Sequence, residues 1–199
     1  METILKKGNY KILKMFYHNG NSPVHLRGIS RSTRLNENST SRFLNSLTNS
    51  KVLISRKNKI SRNFFISEKF VKVIFSFFDF EKFENLDYSR KKAVEDYLFS
   101  INKKPLCLIL FGSTSRGNSK KNSDLDILEI NDSKEKVLPI IKKIESQRGV
   151  RLQVMRVSQD NLKDFSKEDK VFMSAVETGF PIFGTDFFYK ILKNERKDT

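Results

Sequence analysis

The stretch FGSTSRGNSKKNSDLDILEI, residues 111–130, decides the fold. It continues an apolar run that begins at Leu106 and passes through Cys107, Leu108, Ile109 and Leu110. Six apolar residues in a row, entered from Pro105 and ended by Gly112, predict a strand buried on both faces. Residues 112–117 predict a polar, glycine-containing turn. A second apolar run over 125–130 is interrupted by acids at Asp124 and Asp126. Residues two apart on a strand point to the same face, so these two carboxylates become neighbours, roughly 7 Å apart along the chain. Such a gap suits a hard cation: Mg²⁺ takes one or two carboxylates and completes its shell with substrate phosphates. The bend before them offers backbone N–H groups and hydroxyls to a phosphate, with Arg116 as an added charge. Unpaired acids are costly to bury on an otherwise apolar strand, so the pair calls for a compensating cation.

Gly112-Ser113, a ten-residue spacer and Asp124-x-Asp126, with Arg116, Gly117 and Ser123 in place, resemble the signature of the DNA polymerase β-like nucleotidyltransferases. The nearest likeness is to the minimal nucleotidyltransferases of archaea and bacteria. The resemblance covers about twenty residues strongly and extends more weakly to residue 199. It implies that Gly112, Ser113, Arg116 and Ser123 bind a nucleoside triphosphate, and that Asp124 and Asp126 are catalytic and hold Mg²⁺ or Mn²⁺. It further implies transfer of a nucleotidyl group to a hydroxyl on protein or nucleic acid. Related minimal nucleotidyltransferases act on partner toxin proteins as antitoxins. Active members take a third carboxylate from the strand beside Asp-x-Asp. Residues 150–157 should be that strand; Gln153 stands at the position, and no acid lies between Gly149 and Gln159. A neutral amide serves poorly as a base and cannot neutralise a second cation. Two readings follow: an active enzyme, or a DNA-binding regulator or antitoxin whose nucleotidyltransferase-like domain binds nucleotide or dimerises without turnover.

Residues 1–67 carry thirteen Lys/Arg against only Glu2 and Glu37, within a chain of net charge +15. A helix carrying Ile12, Leu13, Phe16 and Tyr17 should start at an Asn9 cap and end at Asn19-Gly20. Ser22-Pro23 signals a second helix over 24–34, which buries Val24, Ile29 and Leu26. Asn38 or Ser39 should cap a third helix bearing Phe43, Leu44 and Leu47. Two strands follow, at 52–54 and 63–66, joined through a basic tip of Arg56, Lys57 and Lys59. Three short helices and a basic hairpin resemble a winged helix-turn-helix, in which the third helix enters the DNA major groove and the wing touches the backbone. The expected contacts are Ser39, Thr40, Ser41, Arg42 and Asn45 on the third helix, and Arg56, Lys57 and Lys59 on the wing. The second helix adds Arg27, Arg31 and Arg34.

Ser67 should cap a helix to about Phe83, rich in Phe and apolar on more than one face. It serves as a linker helix over 68–87, or pairs with its copy in a homodimer. Asp87 or Ser89 starts a further helix with Val94, Tyr97, Leu98 and Ile101. Ser133 should cap a helix to about Gln147, with Pro139 either kinking it or shifting its start. Ser158 caps a short helix, and Asp164 or Ser166 begins another through Glu177. A short strand at 179–184 and a final helix close the chain. The fold class expected is α+β: a winged helix-turn-helix over 1–67, then a small mixed-sheet α/β nucleotidyltransferase-like domain over 88–199. Eighteen Phe supply large core side chains. The lone Cys107 rules out an internal disulfide and reads as a small core hydrophobe. No apolar stretch reaches the length of a membrane span and no signal-peptide pattern opens the chain, so a cytoplasmic protein is expected.

Overall fold

The computed structural model describes residues 6–57, 61–120, 122–163 and 169–195. They divide into two units, Met1–Phe78 and Asp79–Thr199.

In the first unit, α1 spans Lys7–His18 and buries Ile12, Leu13 and Phe16. Asn9 is not its cap: it lies inside the first turn and is fully buried. The second helix also starts later than its sequence signal. Val24–His25 forms β1, and α2 begins at Leu26 and ends at Thr33. Val24 pairs with Phe64 across an antiparallel ladder, so strand pairing overrides the Ser-Pro start signal. Helix α3, Glu37–Asn49, is capped by Asn36, whose Oδ1 accepts from the Ser39 N–H at 2.7 Å. The cap falls before the expected Asn38 or Ser39. Strands β2 (Leu53–Lys57) and β3 (Arg62–Ile66) form the hairpin, and the antiparallel sheet runs β1-β3-β2. Ile29, Leu44, Leu47, Leu53, Phe64 and Ile66 join the α1 side chains in the core. Helix α4, Glu68–Glu84, buries Ile74, Phe75 and Phe78 and exposes Val73, Phe77 and Phe80. The division between the units falls within it.

The second unit begins with α5, Tyr88–Ser100, capped by Asp87 through the Arg90 N–H. Strand β4 is Cys107–Phe111, buried at every residue. The polar bend after it is a single helical turn, α6, Gly112–Ser115. Strand β5 is Leu125–Ile130. Helix α7 runs Leu138–Arg148: Pro139 sits in its first turn, where no N–H is needed, so the helix starts there and not at Ser133. Strand β6 is Leu152–Val157. A 3₁₀ turn, Asp160–Lys163, follows, and Ser158 Oγ accepts from the Asn161 N–H at 3.4 Å. Helix α8, Lys170–Thr178, is capped by Asp169 through the Val171 and Phe172 N–H groups. The starts expected at Asp164 or Ser166 lie outside the described residues. Strand β7 (Phe180–Phe183) and α9 (Thr185–Glu195) complete the unit.

The sheet order is β6-β5-β4-β7, with β5 and β6 parallel and the other pairs antiparallel. Alternation splits the core in two. Leu108, Leu110, Leu125, Ile127 and Leu152 pack with Ala93, Val94 and Tyr97 of α5 and with Ile141 and Ile144 of α7. Cys107, Ile109, Phe111, Leu128, Ile130 and Val157 pack with Phe172, Ala175 and Val176 of α8 and with Phe188 of α9. Helices on both faces account for the unbroken apolar runs. Among the described residues, no helix is long and apolar enough to cross a membrane.

Candidate functional site

Phe111, the last residue of β4, pairs across the ladder with Asp126 of β5. Gly112 is therefore the first residue past the pair, and its φ of +72° turns the chain into α6. An added Cβ at Gly112 would lie 2.0 Å from Asp126 Oδ2. The backbone and the carboxylate thus meet with no room for a side chain, the close approach that glycine permits. Ser115 Oγ donates to the Gly112 carbonyl at 3.0 Å, and the Asn118 N–H donates to the Ser113 carbonyl at 3.1 Å, which closes the bend. Ser113 is half-buried and Arg116 exposed.

Asp126 has its carboxyl pushed above the ordinary aspartate range. Desolvation is the largest cause, the Asp124 charge adds to it, and Arg116 opposes it. Asp124, Asp126 and Arg116 therefore share one electrostatic neighbourhood. Asp124 Oδ2 accepts from Gln153 Nε2 at 2.8 Å. Its Oδ1 lies 3.2 Å from Arg151 Nε. That oxygen is buried and accepts no hydrogen bond, because the guanidinium approaches outside hydrogen-bond geometry. Gln153 pairs with Asp126 across the parallel β5–β6 ladder, so the amide stands beside both acids.

Gly112, Arg116, Asp124 and Asp126 come together. Ser123 shapes the approach to them. Its Oγ accepts from the Lys120 N–H at 2.8 Å, and its own N–H donates to the Lys120 carbonyl at 2.9 Å. Arg90, which the sequence reading passed over, is buried behind that loop. Its guanidinium donates to Ser119 Oγ at 2.6 Å, to the Lys120 carbonyl at 2.7 Å and to the Ser123 carbonyl at 3.2 Å, and it pairs with Asp87 at 3.3 Å. Only the Asp87–Arg90 spacing of three could have hinted at it. Strand alternation puts Arg151 on one face with Gln153, but its pairing with Asp124 is shown only by the structure.

Among the described residues, no group of three or more His, Cys, Asp or Glu side chains is placed to hold a metal. The donor set for a cation is two carboxylates. A buried carboxylate oxygen without a hydrogen bond, beside a second carboxyl whose charge is disfavoured, fits a divalent ion completed by ligand oxygens.

In the first unit, Arg42 and Asn45 of α3 are exposed, and Ser39 and Ser41 half-buried. Thr40 does not share that exposed side: it is fully buried, and its Oγ1 donates to the Asn36 carbonyl at 2.9 Å. Its position in the first turn of α3 aims it at the core. Arg56 and Lys57 are exposed on β2, as are Arg27, Arg31 and Arg34 around α2, and Lys59 lies outside the described residues. A groove of about 620 Å³ runs between α3 and the hairpin, lined by Arg27, Ser41, Asn45 and Arg62 among others.

Residues 91–178 match the family described as nucleotidyltransferase domain. That span holds Gly112, Ser113, Asp124, Asp126 and Gln153. No curated protein matches the chain. Among solved structures, a toxin–antitoxin crystallised with AMP-PNP is 21% identical over 54% of this chain and 92% of its own, with a TM-score of 0.38. A mutant of the MntA-HpeT toxin–antitoxin is 20% identical over 55% of this chain and 93% of its own, with a TM-score of 0.37.

Proposed function

We propose that this chain is a Mg²⁺- or Mn²⁺-dependent nucleotidyltransferase of the polymerase β-like superfamily that also binds DNA. Residues 1–67 serve as a winged helix-turn-helix, 68–87 as a linker helix and 88–199 as the nucleotidyltransferase-like domain. One observation carries the reading. Asp126 packs against the Gly112 bend with its ionised form disfavoured, and Asp124 stands beside it with one buried oxygen that accepts no hydrogen bond.

Asp124 and Asp126 would hold the divalent ion, which when bound offsets the charge of the phosphates. Gly112 lets the backbone come close to the nucleotide, and Ser113, Arg116 and Ser123 orient the triphosphate. A hydroxyl oxygen on a protein or nucleic-acid acceptor bonds to the α-phosphorus. The bond from that phosphorus to the β-bridging oxygen breaks, pyrophosphate leaves, and the hydroxyl proton passes to water. Gln153 cannot take that proton, so catalysis rests on positioning. The DNA-binding part is supported by the helix and hairpin order β1-β3-β2 and by exposed Arg42, Asn45, Arg56 and Lys57.

A second reading is a DNA-binding regulator or antitoxin whose nucleotidyltransferase-like domain binds nucleotide or dimerises without turnover. It is favoured by the amide of Gln153, which engages Asp124 where a third acid would stand. The test incubates the full chain with each labelled nucleoside triphosphate, Mg²⁺ or Mn²⁺ and candidate acceptors, beside Asp124→Ala/Asp126→Ala. Label transferred by the wild type alone supports the enzyme. Silence from both, with nucleotide retained by the wild type, rejects turnover and leaves the regulator. Absence of nucleotide binding rejects the enzyme and leaves only a regulator whose second domain dimerises.

A further inference from the structure

Two carboxylates and two guanidiniums stand together here. Arg116 acts on Asp126, and Arg151 Nε lies 3.2 Å from Asp124 Oδ1. Their formal charges cancel. β6 carries Gln153 opposite Asp126 and has no carboxylate of its own, so no third acid stands here to hold a second divalent ion. The Gln153 amide is also turned as a donor. Its Nε2 points at Asp124 Oδ2, so it offers Asp124 positive polarity where a ligand would offer a lone pair. Arg151, just before β6, and Gln153 within it thus both act on Asp124 in the sense of a cation.

We propose that Arg151 is a built-in counter-cation of Asp124, occupying the charge position of one divalent ion, so that this site takes a single divalent cation. The inference rests on the cation-site reading above and adds a stoichiometry and a residue to it. Arg151 is 75% exposed against 28% for Asp124. The pair therefore adds little to stability. Its effect lies in the potential that an incoming ion meets. A guanidinium charge a few ångströms from a divalent ion, in a largely aqueous setting, weakens binding about 3- to 10-fold at low ionic strength. Exposure also leaves Arg151 free to move from Asp124 to an arriving phosphate, which a buried guanidinium could not do.

The experiment titrates the full-length chain with Mn²⁺ alone at low salt and follows free Mn²⁺ by electron paramagnetic resonance, with circular dichroism confirming the fold of each variant. The wild type is expected to bind one ion, and Asp124→Ala/Asp126→Ala to lose it. Arg151→Ala should tighten that ion about 3- to 10-fold, an effect that shrinks as salt is added. Arg151→Ala/Gln153→Glu should take a second ion. Two site-dependent ions in the wild type, or unchanged affinity in Arg151→Ala, would overturn this inference and leave the cation-site reading standing. No ion at all would overturn this inference, and an ion that survives loss of both aspartates would overturn the cation-site reading with it.

Discussion

Gly112→Ala and Gly117→Ala form a matched pair that isolates the contact between bend and carboxylate. Both glycines are left-handed, at φ +72° and +71°. An alanine in that region is strained by about 1–2 kcal/mol. At Gly117 a Cβ would meet nothing within 4 Å, so strain is the whole effect. At Gly112 the Cβ would also lie 2.0 Å from Asp126 Oδ2 and 2.9 Å from its Cγ. The blocking atom is the end of a side chain, so Asp126 rotates before the strands part. That forced repacking adds about 1–3 kcal/mol. Gly112→Ala should therefore lose about 2–5 kcal/mol and Gly117→Ala about 1–2. Urea denaturation measures both losses. Mn²⁺ titration supplies the decisive contrast: Gly112→Ala removes no ligand, yet displacing Asp126 should weaken the ion about tenfold, while Gly117→Ala leaves it within about twofold, a tenfold change corresponding to about 1.4 kcal/mol. Equal stability losses, or an unweakened ion in Gly112→Ala, would refute the packing of carboxylate on backbone that the site depends on.

Arg90→Met should cost about 2–3 kcal/mol, since it strips a buried charged donor from three acceptors, and amide exchange at 119–124 should accelerate; unchanged exchange there would remove Arg90 from the support of the loop. The Cys107 thiol is pushed up to about 12 by burial from an ordinary value of 9.0. Its neutral form stabilises the fold fully below pH 9, and that contribution, about 4 kcal/mol at most, is lost as pH rises toward 12, because the unfolded chain ionises first. Burial raises Tyr97 in the same direction, so Cys107→Ala should flatten the alkaline fall in part, and a thiol reagent at pH 8 should label Cys107 only on unfolding. For the winged-helix reading, DNA affinity should fall steeply with salt, and Arg42→Ala should lower the log–log salt slope by about one; affinity indifferent to ionic strength would reject phosphate contact.

The strands of the second unit were legible because they are central. Residues 107–111 and 125–130 have helices on both sides, and a run without polar alternation has no other stable placement in a small domain. That Asp124 and Asp126 share a face followed from strand parity, whereas the approach of Gly112 to Asp126 depends on the Phe111–Asp126 register, which the pattern does not fix. Helix starts were less legible. Asn36, Asn38 and Ser39 are all competent caps, and the helix uses the first of them. Val24 carried a helix-start signal but was taken by a partner some forty residues away, which a local pattern cannot register. Thr40 was misread for a related reason: helical period tells which residues share a face, but in the first turn a small hydroxyl can face the core by bonding back to Asn36. Arg90 and Arg151 act on Lys120, Ser123 and Asp124 across long sequence separations, and nothing in the chain's periodicity encodes such a pairing.

Three acids belong to β5 or its entry, and their parity sorts them. Glu129 faces α5, fully buried, and is met from three sides: Tyr97 OH donates to it, Asn131 Nδ2 donates at 2.8 Å, and Arg156 pairs with it at 3.1 Å. Asp124 and Asp126 face the opposite side, where one carboxyl is pushed upward and one buried oxygen accepts nothing. A fully buried acid with its hydrogen bonds made holds structure, whereas a carboxyl whose ionised form the fold disfavours is a candidate for holding something that arrives. The same chemical change should then have opposite signs at the two places. Glu129→Gln exchanges a charged acceptor for an amide beside Arg156 and leaves that guanidinium short of its partner, so the protein should melt lower. At Asp126 the raised carboxyl means that the ionised form is disfavoured in the fold, and stability rises as pH falls through that raised value. Asp126→Asn removes the ionisation and should melt higher than the wild type at pH 7 without divalent ions, then lose its advantage when Mn²⁺ is added. Melting shifts of one sign for both variants would mean that the two acids are held in the same way, and the case for a cation seat at Asp124 and Asp126 would fall with it.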